Sequence, residues 1–383
     1  MKHIKKHHIV LLFVPLVALT GCTNIADNKN NHKEQQAVEQ PAMPPEIHID
    51  SHNVPLDRVM PLDPITVTTT GDNIQVSMVN TSTGEEVQGD IIGNTWDKTT
   101  PLQYDNSYRI TATSGETTQV FDVYAPKPLT AEPTISIPDG ATVGVGQTVA
   151  VRFDAPIEDK QLVEKGITVE TAPHLNGAFR WVNDREVRWR PAEFFAPGTQ
   201  IHVKVNNYGQ YLGGGFFGGT PTEATYSIGD KRITIVDNAT KMAHVFHNDN
   251  EVYSFPVSLG KPSAPTNNGI YIIGDRNPSM IMDSSTYGVA VDSAEGYRVD
   301  VNYATQMSYS GIYLHSAPWA AGAIGSYNQS HGCINAMSAD AQWFMENSQR
   351  GDIVIVKNAD GSVLSMDDGL GDWNGTLDEW DSK

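Results

Sequence analysis

Along most of this chain apolar residues recur at every second position, in short runs closed by turn residues. This is the pattern of half-buried β-strands. Ile74, Val76 and Met78 alternate with Gln75 and Ser77, and Tyr108, Ile110 and Ala112 alternate with Arg109 and Thr111. Such runs, closely punctuated, predict a two-sheet sandwich over residues 47–128, ending at Ala125-Pro126-Lys127-Pro128. A second sandwich is predicted over residues 129–230. There Val149, Val151 and Phe153 share a face, as do Ile201, Val203 and Val205. Asn183-Asp184 predicts a turn between the strands Phe179–Trp181 and Val187–Trp189.

Both modules are similar to immunoglobulin-like domains, without the cysteine pair of antibody domains. A third module is predicted over residues 231–357. It opens with strands Ile233–Val236, Ala243–Phe246 and Val252–Val257. It carries one main helix, Ala339–Asn347, for which Ser338 reads as the N-cap and Asp340 as a favourable first-turn charge. Strand Ile353–Val356 follows Gly351. The acidic tail, 358–383, contains Trp373 and Trp380. Two tryptophans do not suit a solvated end, and they predict a tail that fastens the third module to the second. The fold class is therefore mostly β: two sandwiches, then a β-rich domain with one main helix and a tail.

The N-terminus is of another kind. Lys2, Lys5 and Lys6 precede an apolar run, Ile9–Leu19, too short to span a bilayer, and the run ends Leu19-Thr20-Gly21-Cys22. This resembles a bacterial lipobox. The resemblance implies a signal peptide over residues 1–21, lipidation of Cys22, and a protein held outside the cell membrane. Residues 22–46 are polar and end in prolines. They read as a tether reaching about 80 Å extended or about 27 Å as a coil.

The formal charge is −19, with 45 acidic and 26 basic side chains. It excludes nucleic acid and anionic lipid surfaces as natural partners. There are two cysteines, Cys22 and Cys333. With Cys22 carrying lipid, Cys333 stands alone in an oxidising compartment, where a thiol is either used or buried.

Two literal motifs carry nothing. Gly213–Gly218 satisfies G-x-G-x-x-G, but no helix follows it. Ser258-Leu259-Gly260-Lys261 satisfies S-x-x-K, but Gly260 and Pro262 break the helical turn that motif needs. The informative stretch is Ser310-Gly311-Ile312-Tyr313-Leu314-His315, followed by Ser330-His331-Gly332-Cys333-Ile334-Asn335. The first reads as a strand with Tyr313 and His315 on one face. In the second, Gly332 permits a tight turn that brings backbone amides together. A thiol needs a base, and a tetrahedral intermediate needs fixed donors. The residues alone leave three readings: a nucleophile, an inert thiol, or part of a zinc site with His315 and His331, for which no fourth ligand is spaced.

These motifs, with Val257-Ser258-Leu259-Gly260, Thr266-Asn267-Asn268-Gly269, Ile281–Gly288 and His315-Ser316-Ala317-Pro318-Trp319, resemble the L,D-transpeptidase family, and in particular its actinobacterial branch. The resemblance covers nearly the whole mature chain. It implies that Cys333 is the nucleophile and His315 its base, oriented by the Ser316 carbonyl. Amides of His331, Gly332 and Cys333 would form an oxyanion hole. Tyr297, Ser310, Gly311 and Asn335 would contact a peptidoglycan stem peptide, and Met282, Tyr287 and Trp319 would line a lidded cleft, with the lid over residues 288–305. Carbapenem β-lactams would acylate the same cysteine. No cofactor and no metal are implied.

Overall fold

A computed structural model describes residues 43–287, 290–293 and 296–381. The expectations for the leader, for Cys22 and for most of the tether fall outside these residues. The chain is mostly β, with three helices among the described residues: Lys160–Lys165, Ser338–Asn347 and Leu377–Asp381.

The first module is two four-stranded sheets, one running from Ile47–Asp50 to Gly89–Ile92 and the other from Glu86–Val87 to Thr117–Ala125. Period-two alternation does what was expected of it. In Asn106–Ser114, Tyr108, Ile110 and Ala112 are buried against Ile65, Met78 and Trp96, while Ser107, Arg109 and Thr111 face water.

In the second module one strand loses the alternation altogether, and the failure is informative. Glu186–Pro191 is buried along its whole length, Glu186, Arg188 and Arg190 included. The inner face packs in the sandwich core through Val187 and Trp189. The outer face is covered by the C-terminal tail. Arg190 lies between the rings of Trp373 and Trp380, at 4.9 and 4.8 Å from their centres. Arg188 pairs with Asp372 at 2.8 Å, and neighbouring Arg180 pairs with Asp367 at 2.8 Å. The indole N–H groups of Trp373 and Trp380 donate to the Gly146 and Ala178 carbonyls. The tail thus fastens the third module to the second, and Ile272, Ile353 and Leu370 join the second module's core.

The third module has two sheets. A five-stranded sheet is centred on Arg232–Asp237, with Ile353–Lys357 parallel beside it. A four-stranded sheet runs in the order Arg276–Asp283, Arg298–Gln306, Tyr313–Ser316, Ile334–Ala336. Apolar side chains from both sheets meet helix Ser338–Asn347 through Ala341 and Phe344. One detail of that helix corrects the sequence reading. Ser338 is its first helical residue and not its N-cap. Met337 takes the cap position without a side-chain bond, and the Ser338 hydroxyl pairs with that of Ser316 at 2.8 Å.

Candidate active site

Strand Tyr313–Ser316 pairs in parallel with Ile334–Ala336, placing His315 opposite Asn335. Cys333 lies two residues before Asn335, so its side chain falls on the same face as Asn335 and His315. That register brings the expected nucleophile and base together, and both line one cleft of about 250 Å³.

The turn before Cys333 explains why a glycine precedes it. Gly332 has φ of +115°, a conformation costly for any side chain. The turn is tied down on three sides. Thr266 Oγ1 donates to the Gly332 carbonyl at 2.8 Å. Ser330 Oγ donates to the Cys333 carbonyl at 2.5 Å and accepts from the Gly332 amide at 3.1 Å. This last bond modifies the expected oxyanion hole, because the Gly332 amide is taken by Ser330 in the resting site.

Cys333 is 6% exposed and packs with Met282, Val301, Ala304 and Tyr313. It sits on the floor of the cleft, not on an open surface. Its thiol reaches the Gly311 carbonyl at 3.5 Å. Burial pushes its pKa up to about 11, against a lowering by the Tyr313 backbone. His315 is 4% exposed, and burial holds its pKa below the ordinary histidine value, partly offset by the Ser316 carbonyl. His315 Nδ1 lies 3.0 Å from that carbonyl. A carbonyl only accepts, so Nδ1 carries the hydrogen and Nε2 keeps its lone pair. A neutral thiol and a neutral imidazole therefore share the resting site, with the thiol hydrogen on the Gly311 carbonyl.

The remaining expected residues divide. Met282, Tyr297, Trp319, His331 and Asn335 line the cleft, together with Val299, Gln329 and Ser330. Trp319 is 55% exposed, with its ring centre 6.2 Å from that of His315. The His331 side chain lies at the rim, 5.2 Å from the Tyr297 ring centre, with Nε2 3.0 Å from Lys261 Nζ. Ser316, Ser310, Gly311 and Gly332 are not among the residues lining the cleft. The Ser310 amide donates to Asp368, its hydroxyl donates to Ser308, and Gly311 receives the thiol. Tyr287 closes a 3-10 turn, Ser284–Tyr287, and its side chain lies outside the described residues. The segment expected to form a lid contains strand Arg298–Gln306, paired with Arg276–Asp283 into a hairpin above the cleft.

Sequence reasoning missed Ser330, Lys261, Thr266 and Asp368. Ser330 belonged to the very motif that was read, where a hydroxyl two residues before a left-handed glycine signals a side-chain clamp on the turn. Among the described residues no group of three or more His, Cys, Asp or Glu side chains is placed to hold a metal ion.

Comparison with known proteins gives consistent matches. A model of the L,D-transpeptidase catalytic domain matches residues 231–356, and one of a bacterial Ig domain matches residues 56–211. L,D-transpeptidase 2 of Mycobacterium tuberculosis (strain CDC 1551 / Oshkosh) is 47% identical over 326 residues, 83% of this chain and 79% of that protein. L,D-transpeptidase 1 of Mycobacterium tuberculosis (strain ATCC 25618 / H37Rv) is 34% identical over 60% of this chain and 86% of that protein. The L,D-transpeptidase LdtMt1, solved in complex with imipenem, superposes with a TM-score of 0.52 at 33% identity, over 60% of this chain and 100% of that one. L,D-transpeptidase 3 of Mycobacterium tuberculosis, solved with a faropenem-derived adduct, gives 0.50 at 30% identity, over 59% and 97%.

Proposed function

This chain belongs to the L,D-transpeptidase family, and we propose that it joins peptidoglycan stem peptides between their third residues through a thioester on Cys333. The observation that carries this reading is the pairing on the cleft floor. Cys333 and His315 share one face of a parallel strand pair, and the Ser316 carbonyl fixes the tautomer that leaves Nε2 free to take a proton.

The donor is a tetrapeptide stem. The Cys333 thiol gives its proton to His315 as sulfur attacks the carbonyl of the third residue. Backbone amides at the turn His331–Cys333 hold the resulting oxyanion, and Gly332 joins them by exchanging its bond to Ser330. The bond to the terminal D-alanine then breaks, and His315 returns the proton to the departing amine. The side-chain amine of a third residue on a neighbouring stem attacks the thioester. Its proton passes to His315, the carbon–sulfur bond breaks, and the thiol is restored. Tyr297 and Asn335 in the cleft contact the stem. Aminolysis must outrun hydrolysis, and the hairpin carrying Met282 and Val299 limits water above the thioester. Carbapenems acylate Cys333 because their strained ring carbonyl meets the same donors. Lipid on Cys22 holds the enzyme to the outer face of the cell membrane, and residues 22–46 let it reach the wall.

The test is product analysis by mass spectrometry. Purified protein should release D-alanine from tetrapeptide stems, form dimers joined between third residues, and ignore pentapeptide stems. Cys333→Ala should abolish both products. Tripeptide monomers alone would identify a carboxypeptidase, and no product from either stem would leave a wall-binding protein.

A further inference from the structure

The contact between the Cys333 thiol and the Gly311 carbonyl raises the question of what holds that carbonyl in place. Gly311 closes a tight loop between strands Arg298–Gln306 and Tyr313–Ser316. Within the loop, Ile312 donates from its amide to Ser308 Oγ at 2.7 Å, and its carbonyl accepts from the Met307 amide at 2.9 Å. The loop's outward amides are satisfied from elsewhere. Both oxygens of the Asp368 carboxylate are used, one by the Tyr309 amide at 2.9 Å and the other by the Ser310 amide at 3.0 Å. Asp368 belongs to the C-terminal tail, and nothing in the reaction requires a carboxylate there. The tail also presses on the loop at the next residue. A Cβ on Gly369, whose φ is +100°, would lie 2.3 Å from the Tyr309 ring. The far end of that ring is held by the second module, where Arg152 Nη2 donates to the Tyr309 hydroxyl at 2.9 Å.

We propose that Asp368 is a positioning residue for Cys333: its bidentate grip on the Tyr309 and Ser310 amides sets the Gly311 carbonyl against the thiol and fixes the direction of the S–H bond. This rests on the reading of Cys333 as the nucleophile. A two-pronged carboxylate restrains the loop far more than a single bond would, because both amides must break together for the loop to tilt. A nucleophile displaced by a fraction of an ångström loses much of its rate, although binding of the stem is hardly touched. The Gly311 carbonyl also bonds only the neutral thiol, so losing it makes the thiolate easier to form.

Three variants of the full mature chain test this, each read by dimer formation and by the pH profile of iodoacetamide alkylation at Cys333. Asp368→Ala should lower kcat roughly tenfold or more, with KM within about twofold, and should move the alkylation midpoint to lower pH. Asp368→Asn keeps the shape and one acceptor but sets an N–H against a backbone N–H. It should lose rate to a smaller degree and decides the matter if the alanine variant fails to fold. Asp367→Ala loosens the same tail at Arg180 and leaves the Asp368 carboxylate in place, and should leave both readouts as in the parent. Unchanged kcat and midpoint in the Asp368 variants overturn the proposal. Equal losses in Asp367→Ala and Asp368→Ala also overturn it, by reducing the effect to tail docking. Failure of the underlying reading looks different: protein fully alkylated at Cys333 would still turn over.

Discussion

The pair between Arg188 and Asp372 offers a quantitative test of how the tail is held. Both side chains are almost fully enclosed, at 4% and 0% exposure. Arg188 Nη1 reaches the two Asp372 oxygens at 2.8 and 2.9 Å, donates to the Gly369 carbonyl, and its other arm meets Glu186 at 2.6 Å. Burial alone would lower the Arg188 pKa, but Asp372 and Glu186 hold it above the ordinary arginine value, so the guanidinium stays charged. Replacing Arg188 by Met leaves Asp372 with only the Thr148 hydroxyl, at 2.6 Å, while Glu186 keeps Arg152. An uncompensated buried charge of this kind costs about 3–5 kcal/mol. Asp372→Asn leaves Arg188 with Glu186 and Gly369, and should cost less, about 1–3 kcal/mol. In the double variant neither charge is orphaned by the other, so its cost should fall below the sum of the singles by about 1–3 kcal/mol. Calorimetry of the mature chain reads these as a fall in Tm of the transition shared by the second and third modules, roughly 6–20 °C for Arg188→Met. A fall under about 2 °C, or strict additivity in the double variant, would refute the idea that this pair clamps the tail.

Three further expectations follow from other parts of the molecule. Asp352 is 2% exposed, and burial raises its pKa to about 7, against lowering by the Gln349 amide, Arg232 and Arg276. Its folded pKa thus lies above the unfolded one, so stability is lost as pH rises from about 4 to about 7; Asp352→Asn should stabilise at pH 8 by at most about 4 kcal/mol and do little at pH 4, and equal effects at both pH values in denaturant titrations would contradict it. His315→Ala should slow carbapenem acylation of Cys333 far more than His331→Ala, since Nδ1 of the first is tied to the Ser316 carbonyl and leaves Nε2 its lone pair, while the second rests on Lys261 at the rim; stopped-flow acylation showing the reverse order would exchange the roles. Cys22→Ala should abolish incorporation of a fatty-acid analogue, and label persisting on that variant would end the lipobox reading.

How much of this could be read from the sequence depended on whether a face had one neighbour or two. Strands with one buried face, such as Asn106–Ser114 and Gln200–Val205, declare themselves by alternation. That Cys333 and His315 meet in one cleft was legible because a glycine turn and a strand of known parity fix their geometry locally. Glu186–Pro191 was only half legible. Its arginines look like a solvated face, and they are buried because a segment some 180 residues later supplies the carboxylates and indoles that accept them. The surroundings of the His331 side chain were illegible for a related reason. Its partners, Lys261 and Tyr297, come from two other segments, and local spacing carries no information about them. Asp368 lay within an acidic tail, where one carboxylate among many has no distinguishing context.

The tail itself shows why such residues cannot be treated as solubilising charge. From Asp367 to Asn374 nearly every residue meets a group that would otherwise be orphaned. Asp367 takes Arg180, Asp368 takes two loop amides, and the Gly369 carbonyl takes Arg188. The Leu370 carbonyl takes the Ile272 amide, Asp372 takes Thr148 and Arg188, and Asn374 brackets Ile270 from both sides. Asp367, Asp372 and Trp373 meet the second module while Asp368 and Asn374 meet the third, so the tail is a seam between two surfaces. A seam of this length makes relative motion of the two modules costly, because opening it would break several hydrogen-bonded pairs and expose the rings of Trp373 and Trp380 at once. The loop that carries Gly311 is gripped by the same seam. The rigidity that joins the modules and the placement of the carbonyl beside Cys333 therefore have one physical origin.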